Sequence, residues 1–479
     1  MDAIDLVYAG AAEQARLIRD DEVSARELVE ATLERIDALN PRLNAYRVVF
    51  ADRALAVADQ ADALHAAGTN RPLLGVAVAI KDDADVAGEV TAWGTDAFGP
   101  PKLVDSDVVT RLRAAGAIVI GKTHVPEMTL WPWTASTTWG TARNPWDTQR
   151  TPGGSSGGSA VATATGMCGV APGSDGGGSI RYPSALTGLF GIKPQRDRVP
   201  LGPDHRDAWN GLTAYGPLAR TVRDAAVFLD ATADDLPRGG FLSALDRSAA
   251  PLRIAVSFNA PPGSLARLTA EPREALEETV VLLRSLGHEV FEQQVDYGFN
   301  TMWSVSVRYI KGLQQDVATM ERPERLERNT RRLASFGRRL PDRWLATARN
   351  KERAIASRMN QSFDRADVVL TPMAGGPPPL NTDVVDHGLA RSLYRSNAAA
   401  WALPWNAIGQ PAASVPAGFD SRGLPLAVQL CGRPGDEATI LQVAAQLERA
   451  RRCAGRRPPV DGPAAPPDDR ADRSVRHPR

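Results

Sequence analysis

Between Thr151 and Gly191 the chain is dominated by glycine, serine and threonine. Two clusters are densest, Pro152-Gly153-Gly154-Ser155-Ser156-Gly157-Gly158-Ser159 and Gly173-Ser174-Asp175-Gly176-Gly177-Gly178-Ser179. Such a stretch is either a flexible linker or a backbone built for close approach. What lies between the clusters argues against the linker: Ala160-Val161-Ala162-Thr163-Ala164-Thr165 is small and apolar, whereas solvated spacers have low hydrophobicity. The segment is expected inside a fold, with glycines making room for something beside them.

The flanking sequence has α/β grammar. Ser24-Ala25-Arg26-Glu27 reads as a capping box, followed by Leu28, Val29, Leu33, Ile36 and Leu39 at helical spacing, and Asn40-Pro41 is expected to stop that helix. An Ala-rich helix from about Ala51 to Ala67 ends at Gly68. Leu73 to Ile80 is a continuously apolar run that suits a strand buried on both faces, and it stops abruptly at Lys81-Asp82-Asp83. Val108 to Ala115 reads as a helix closed by Gly116, with Ala117 to Ile120 as a second buried strand. Strands are expected at Arg253–Ser257, Glu289–Phe291 and Ala366–Pro372, a helix at Pro272–Leu286, and long outer helices across Met320–Asn360. With no repeat and no internal boundary, residues 1–453 read as one large domain. Residues 454–479, rich in Pro, Asp and Arg, read as a disordered tail.

Composition excludes several function classes. Of 479 residues 43% are apolar, enough for a sizeable core, and 56 basic residues balance 56 acidic ones, so no net field draws nucleic acid or anionic lipid. Cys168, Cys431 and Cys453 are odd in number, with no C-x-x-C pair, which argues against a disulfide framework or zinc site and for a reducing, cytoplasmic location. No signal layout opens the chain and no run reaches a membrane span, so a soluble protein is expected. His65, His124, His205, His288, His387 and His477 are isolated, with no H-E-x-x-H, so no metal site is expected.

Lysine is rare here, yet Lys81 directly follows the most apolar strand. An ammonium there is poorly hydrated, and desolvation favours the neutral amine, which can act as a base. The plainer alternative is an ion pair with Asp82 or Asp83. The three glycines before Ser179 let consecutive N–H groups converge as an anion-binding nest, so Ser179 would sit beside its own oxyanion donors; the alternative is a tight turn whose serine caps the next helix. Gly154-Ser155-Ser156-Gly157-Gly158 formally fits the G-x-S-x-G nucleophile elbow, but an elbow follows a strand and the segment Asn144 to Pro152 cannot be one. No Walker lysine follows the glycines, and S-x-x-K is absent.

Taken in order, these segments resemble the amidase signature family. The matches are Gly75 to Asp82; Ala115-Gly116-Ala117 with Gly121-Lys122-Thr123; Gly140 to Asp147; Thr151 to Ser159; Asp175 to Arg181; Gly216 to Asp224; Leu370-Thr371-Pro372; Gly409-Gln410-Pro411-Ala412; and Gly423-Leu424-Pro425 through Gly432-Arg433-Pro434. The resemblance implies a mixed β-sheet covered by helices and amide hydrolysis by a Ser–cis-Ser–Lys triad. In it Lys81 is the base, Ser155 the middle serine on a cis peptide, and Ser179, 24 residues on, the nucleophile. It also implies oxyanion donors at Gly176, Gly177, Gly178 and Ser179, a bracing pair of Asp175 with Arg181, and no metal or organic cofactor. Family members often dimerise, and nothing in this sequence decides between monomer and homodimer. Three departures stand out: Ala77 where proline is common, Asp83 and His124 where asparagine is common, and Gly176 where a bulkier residue is usual.

The expected partner is a small-molecule amide, with no nucleic acid and no membrane. Within the family the competing reading is the amidase component of a glutamyl-tRNA(Gln) amidotransferase, which frees ammonia from glutamine for partner subunits. Outside it stand a catalytically silent binding scaffold and an α/β-hydrolase esterase using Ser156. Trp131, Trp133 and Trp139 are candidates for an aromatic pocket wall, with core packing as the alternative.

Overall fold

Short buried strands organise the molecule, and they sort into two sheets because their side chains are covered in two different ways. The computed structural model describes residues 2–203, 207–247, 251–384, 387–451 and 455–461. Among these, one mixed sheet has eight strands. Glu289–Glu292, Arg253–Val256 and Val368–Pro372 lie side by side in parallel. Pro425–Gly432, Ala412–Phe419, Phe190–Lys193, Ala214–Ala219 and Ala171–Asp175 then follow, each antiparallel to its neighbour.

A three-stranded sheet stands beside it, with Ile118–Thr123 between antiparallel Tyr46–Val49 and parallel Ala77–Lys81. A bridge from Val78 to Val170 joins the two sheets at the edge strand that carries Asp175. In the strand Ala77–Lys81, Val78 and Ile80 face the main core, while Ala77 and Ala79 face the helices Ala25–Leu43 and Ala51–Ala66. Both faces being covered explains why the run is apolar without alternation.

The glycine-serine segment lies inside the protein, as its apolar centre requires. Gly157–Ala164 is a helix buried along its whole length. A β-carbon on Gly158 would lie 2.5 Å from the backbone N and O of His124, so only glycine lets the helix approach that strand end.

Three expectations need correction or delimiting. The helix from Ala25 runs through Pro41 to Leu43, because buried Leu39 and Leu43 continue its apolar face and Asn44 closes it at φ 51°. A proline in the last turn forfeits only one intrahelical bond, which that packing outweighs. The region from Met320 to Asn360 is not made of long helices: Arg328–Arg339, Asp342–Asn350 and Glu352–Asn360 are separate and short, with Pro341 capping the second. In the expected tail, residues 455–461 return to the body, burying Val460 and pairing Arg457 with Asp5 at 2.6 Å. Residues 462–479, like Cys453, His205 and His477, lie outside the described residues. No helix among the described residues is long and apolar enough to cross a membrane.

Candidate active site

The main-chain register delivers Lys81 to the end of its strand, opposite Thr123, with a side chain that is 0% exposed. Its Nζ donates to Ser155 Oγ at 2.8 Å and to Ser174 Oγ at 2.6 Å, and lies 3.1 Å from Asp83 Oδ2. Ser174 Oγ in turn donates to the same Asp83 oxygen at 2.5 Å. Burial pushes the Lys81 ammonium below its ordinary value, while Asp83 and the more distant Asp175 pull the other way. The strand-capping ion pair and the interior amine are therefore one arrangement, and the acidic partner is Asp83. Asp82 belongs elsewhere, to Arg47 at 2.6 Å and Lys122 at 2.9 Å.

Ser155 follows a cis Gly154–Ser155 peptide. Gly154 has no room for a side chain, since a β-carbon would meet Trp131 O at 2.6 Å and Trp133 N at 2.7 Å. Ser155 and the half-buried Ser179 line one narrow cleft, together with Asp83, Ser174 and Gly176. Ser156 faces away, its Oγ toward Ser174 O at 3.5 Å, and it heads the helix Gly157–Ala164 rather than following a strand.

Asp175 and Arg181 form a buried two-point ion pair, not a surface one: Nε reaches Oδ2 and Nη2 reaches Oδ1, both at 2.9 Å, and both residues are 0% exposed. Arg181 also donates to Asn406 Oδ1 at 2.6 Å and Gln429 Oε1 at 2.7 Å. Burial alone would raise the Asp175 carboxyl, but the Arg181 charge and hydrogen bonds from Arg181 and Asn406 hold it well below the usual carboxylate range. The ionised carboxylate accepts the Gly178 N–H at 2.6 Å and the Ile180 N–H at 3.2 Å, pinning the loop that carries Ser179.

The cleft walls come from residues that sequence reasoning missed. Trp93, Thr129 and Trp209 line it, and all three hold left-handed backbone, with φ of 50°, 52° and 51°. Such conformations in bulky residues are unusual and cluster at functional sites. The tryptophans singled out from the sequence do not form this wall. Trp131 and Trp133 stack on each other in a buried cluster, with centroids 5.1 Å apart, and Trp139 lies partly exposed under the Arg47 guanidinium. Of the departures noted above, Gly176 bears on the cleft, because Trp209 occupies the space a side chain there would take. His124 is buried and pushed down to about 4 by desolvation, so its imidazole is neutral at physiological pH. Lys122, buried at the end of the second strand, was also missed, although it repeats the pattern of an apolar run ending in lysine.

No group of three or more metal-ligating side chains occurs among the described residues. The family model described as Amidase matches residues 27–441. The chain belongs to the amidase family. This amidase is 48% identical over 462 residues to "Putative amidase AmiB2" of Mycobacterium tuberculosis, spanning 96% of this chain and 100% of that one. It is 31% identical to a glutamyl-tRNA(Gln) amidotransferase component of the same family from Prochlorococcus marinus, over 93% of this chain and 98% of the other. Among solved structures, 6-aminohexanoate cyclic dimer hydrolase complexed with substrate superimposes with a TM-score of 0.87 at 28% identity, covering 95% of this chain and 99% of that one. The expected mixed α/β fold and the assignment to amide hydrolases both stand.

Proposed function

We propose that this amidase cleaves a small-molecule carboxylic amide through an acyl-enzyme on Ser179. The carrying observation is the 2.8 Å contact between Lys81 Nζ and Ser155 Oγ at the cleft that Ser155 shares with Ser179. Uncharged Lys81 takes the Ser155 proton as Ser155 takes that of Ser179, and Ser179 Oγ bonds to the amide carbon. The carbonyl oxygen becomes an oxyanion facing backbone N–H donors. Of the four donors the sequence offers, Gly178 is committed to Asp175, which leaves Gly176, Gly177 and Ser179 for this task. The proton on Lys81 returns through Ser155 to the leaving nitrogen as the C–N bond breaks. Water then enters by the same relay, giving the acid and restoring Ser179. Asp175 and Arg181 fix the donor loop, and each proton transferred has both its donor and its acceptor on the chain, on the substrate or on water. Cys168 and Cys431 are free, in keeping with a reducing cytoplasm.

A glutaminase component of a larger assembly is the second reading, favoured by the relative at 31% identity. Against it, the cleft lining among the described residues includes Asp83 and Asp316 but no arginine or lysine to receive a glutamine α-carboxylate. The purified chain should therefore release ammonia or amine from simple amides unaided, and a fluorophosphonate should label Ser179. Absence of labelling would sink the acyl-enzyme and favour a silent scaffold. A Ser156→Ala variant should stay active and Ser179→Ala should not; the reverse pattern would favour the esterase.

A further inference from the structure

Asp83 is a carboxylate where the relay above needs only neutral groups. It is 2% exposed, and Lys81 is the one cation within ion-pair distance of it among the described residues. Its Oδ2 accepts from Ser174 Oγ, and its Oδ1 has no hydrogen-bond partner. A buried, half-satisfied carboxylate depends on its single cation, and that dependence runs both ways.

We propose that Asp83 is the positioning residue that sets the proton affinity of Lys81, holding a proton on the amine in the resting enzyme and balancing the ammonium formed during acylation. This rests on the reading of Lys81 as relay base given above. The other charges around the amine do not substitute for Asp83. Asp175, on the neighbouring strand, is neutralised by Arg181, and on the side of Ile118–Thr123, Lys122 and Arg47 are taken by Asp82. Asp85 is paired with Lys102. From the strand Ala214–Ala219, Tyr215 donates its hydroxyl to Asp83 O at 3.3 Å, and burial keeps that phenol well above its ordinary range, hence uncharged. Desolvation pushes the amine toward neutrality while Asp83 opposes it, so the geometry gives the enzyme a stronger base that is available only at higher pH.

The test is the pH dependence of Ser179 phosphonylation by a fluorophosphonate in wild type and in Asp83→Asn, Asp83→Ser and Asp83→Glu. In both neutral variants the acid limb should move down by at least one pH unit while the alkaline plateau falls several-fold. Asp83→Glu should return the limb to within about half a unit of wild type. A structural defect alone would lower the plateau and leave the limb in place; an unmoved limb, or one moved upward, overturns the inference. A second measurement needs no variant. The chain has six lysines, so ¹⁵N resonances of the amines can be followed through a titration, with Lys81→Met giving the assignment. Lys81 still protonated at pH 7 supports the inference, and Lys81 already neutral at pH 6 overturns it. Wild type that is not labelled at Ser179 would instead remove the reading of the site, and this inference with it.

Discussion

The indole of Trp209 stands 3.1 Å from the point where a β-carbon on Gly176 would begin. The ring cannot retreat: Nε1 donates to Asp316 at 2.9 Å, Tyr309 packs edge-on at 4.1 Å, and a β-carbon on Gly312 would lie 2.8 Å from Trp209 Cα. Gly176→Ala should therefore overpack the cleft wall, at a cost of about 1–3 kcal/mol. We expect kcat/KM to drop about tenfold or more, and Trp209→Phe in the same chain to recover part of it. Steady-state kinetics of the single and double variants would reveal this, and additive losses would contradict the coupling.

Arg181 is expected to matter for stability as much as for geometry. Arg181→Met leaves Asp175 buried without its cation, a change that costs about 3–5 kcal/mol in comparable sites. The Asp175 carboxyl sits below the usual range, so its stabilising contribution is present at neutral pH and is lost only as pH falls through its lowered value. The gap between wild type and variant in urea midpoint should therefore be wide at pH 7 and narrow in strong acid.

Removing Lys81 alone should be worse for folding than removing it together with Asp83. Lys81→Met strands a buried carboxylate, whereas the double variant Lys81→Met, Asp83→Asn leaves only neutral groups. Both should be inactive, and the double variant should melt several degrees higher than the single one. Equal melting temperatures would argue that the pair carries no charge.

Glu127 provides a pH signature away from the chemistry. It is 1% exposed, its carboxylate oxygens accept the Glu327 N–H at 2.8 and 3.0 Å, and burial together with the Glu327 charge raises it from 4.5 to about 7. A carboxyl raised in the folded state stabilises fully below its unfolded value, and that contribution is lost as pH rises through the folded one. Between pH 4.5 and 7 wild type should lose about 3 kcal/mol from this group, a loss that Glu127→Gln should not show. Denaturant titrations at several pH values would test it.

How far the sequence disclosed this site depends on which residues carry it. Lys81 was legible because a strand covered on both faces leaves no alternation, so a charge at its end stands out. Ser155, Ser179, Asp175 and Arg181 were legible as glycine-rich motifs. The cleft walls were not: Trp93, Thr129 and Trp209 come from irregular turns, where side-chain direction follows φ rather than any period. That Asp83 rather than Asp82 meets Lys81 was equally hidden, since the choice depends on how the chain turns after the strand. Pro41 misled because packing of Leu43 outweighs a local helix breaker.

The residues that return after the final helix fasten onto the beginning of the chain. Asp461 pairs with Arg35, Arg457 with Asp5, and Val460 sits in the cluster that holds Leu28 and Ile36. Sequence-distant extremities thus share one set of contacts, and neither can peel away without releasing the other. In native-state hydrogen exchange their amides should open as a single cooperative unit, making the two ends of the polypeptide one foldon rather than two independently fraying termini.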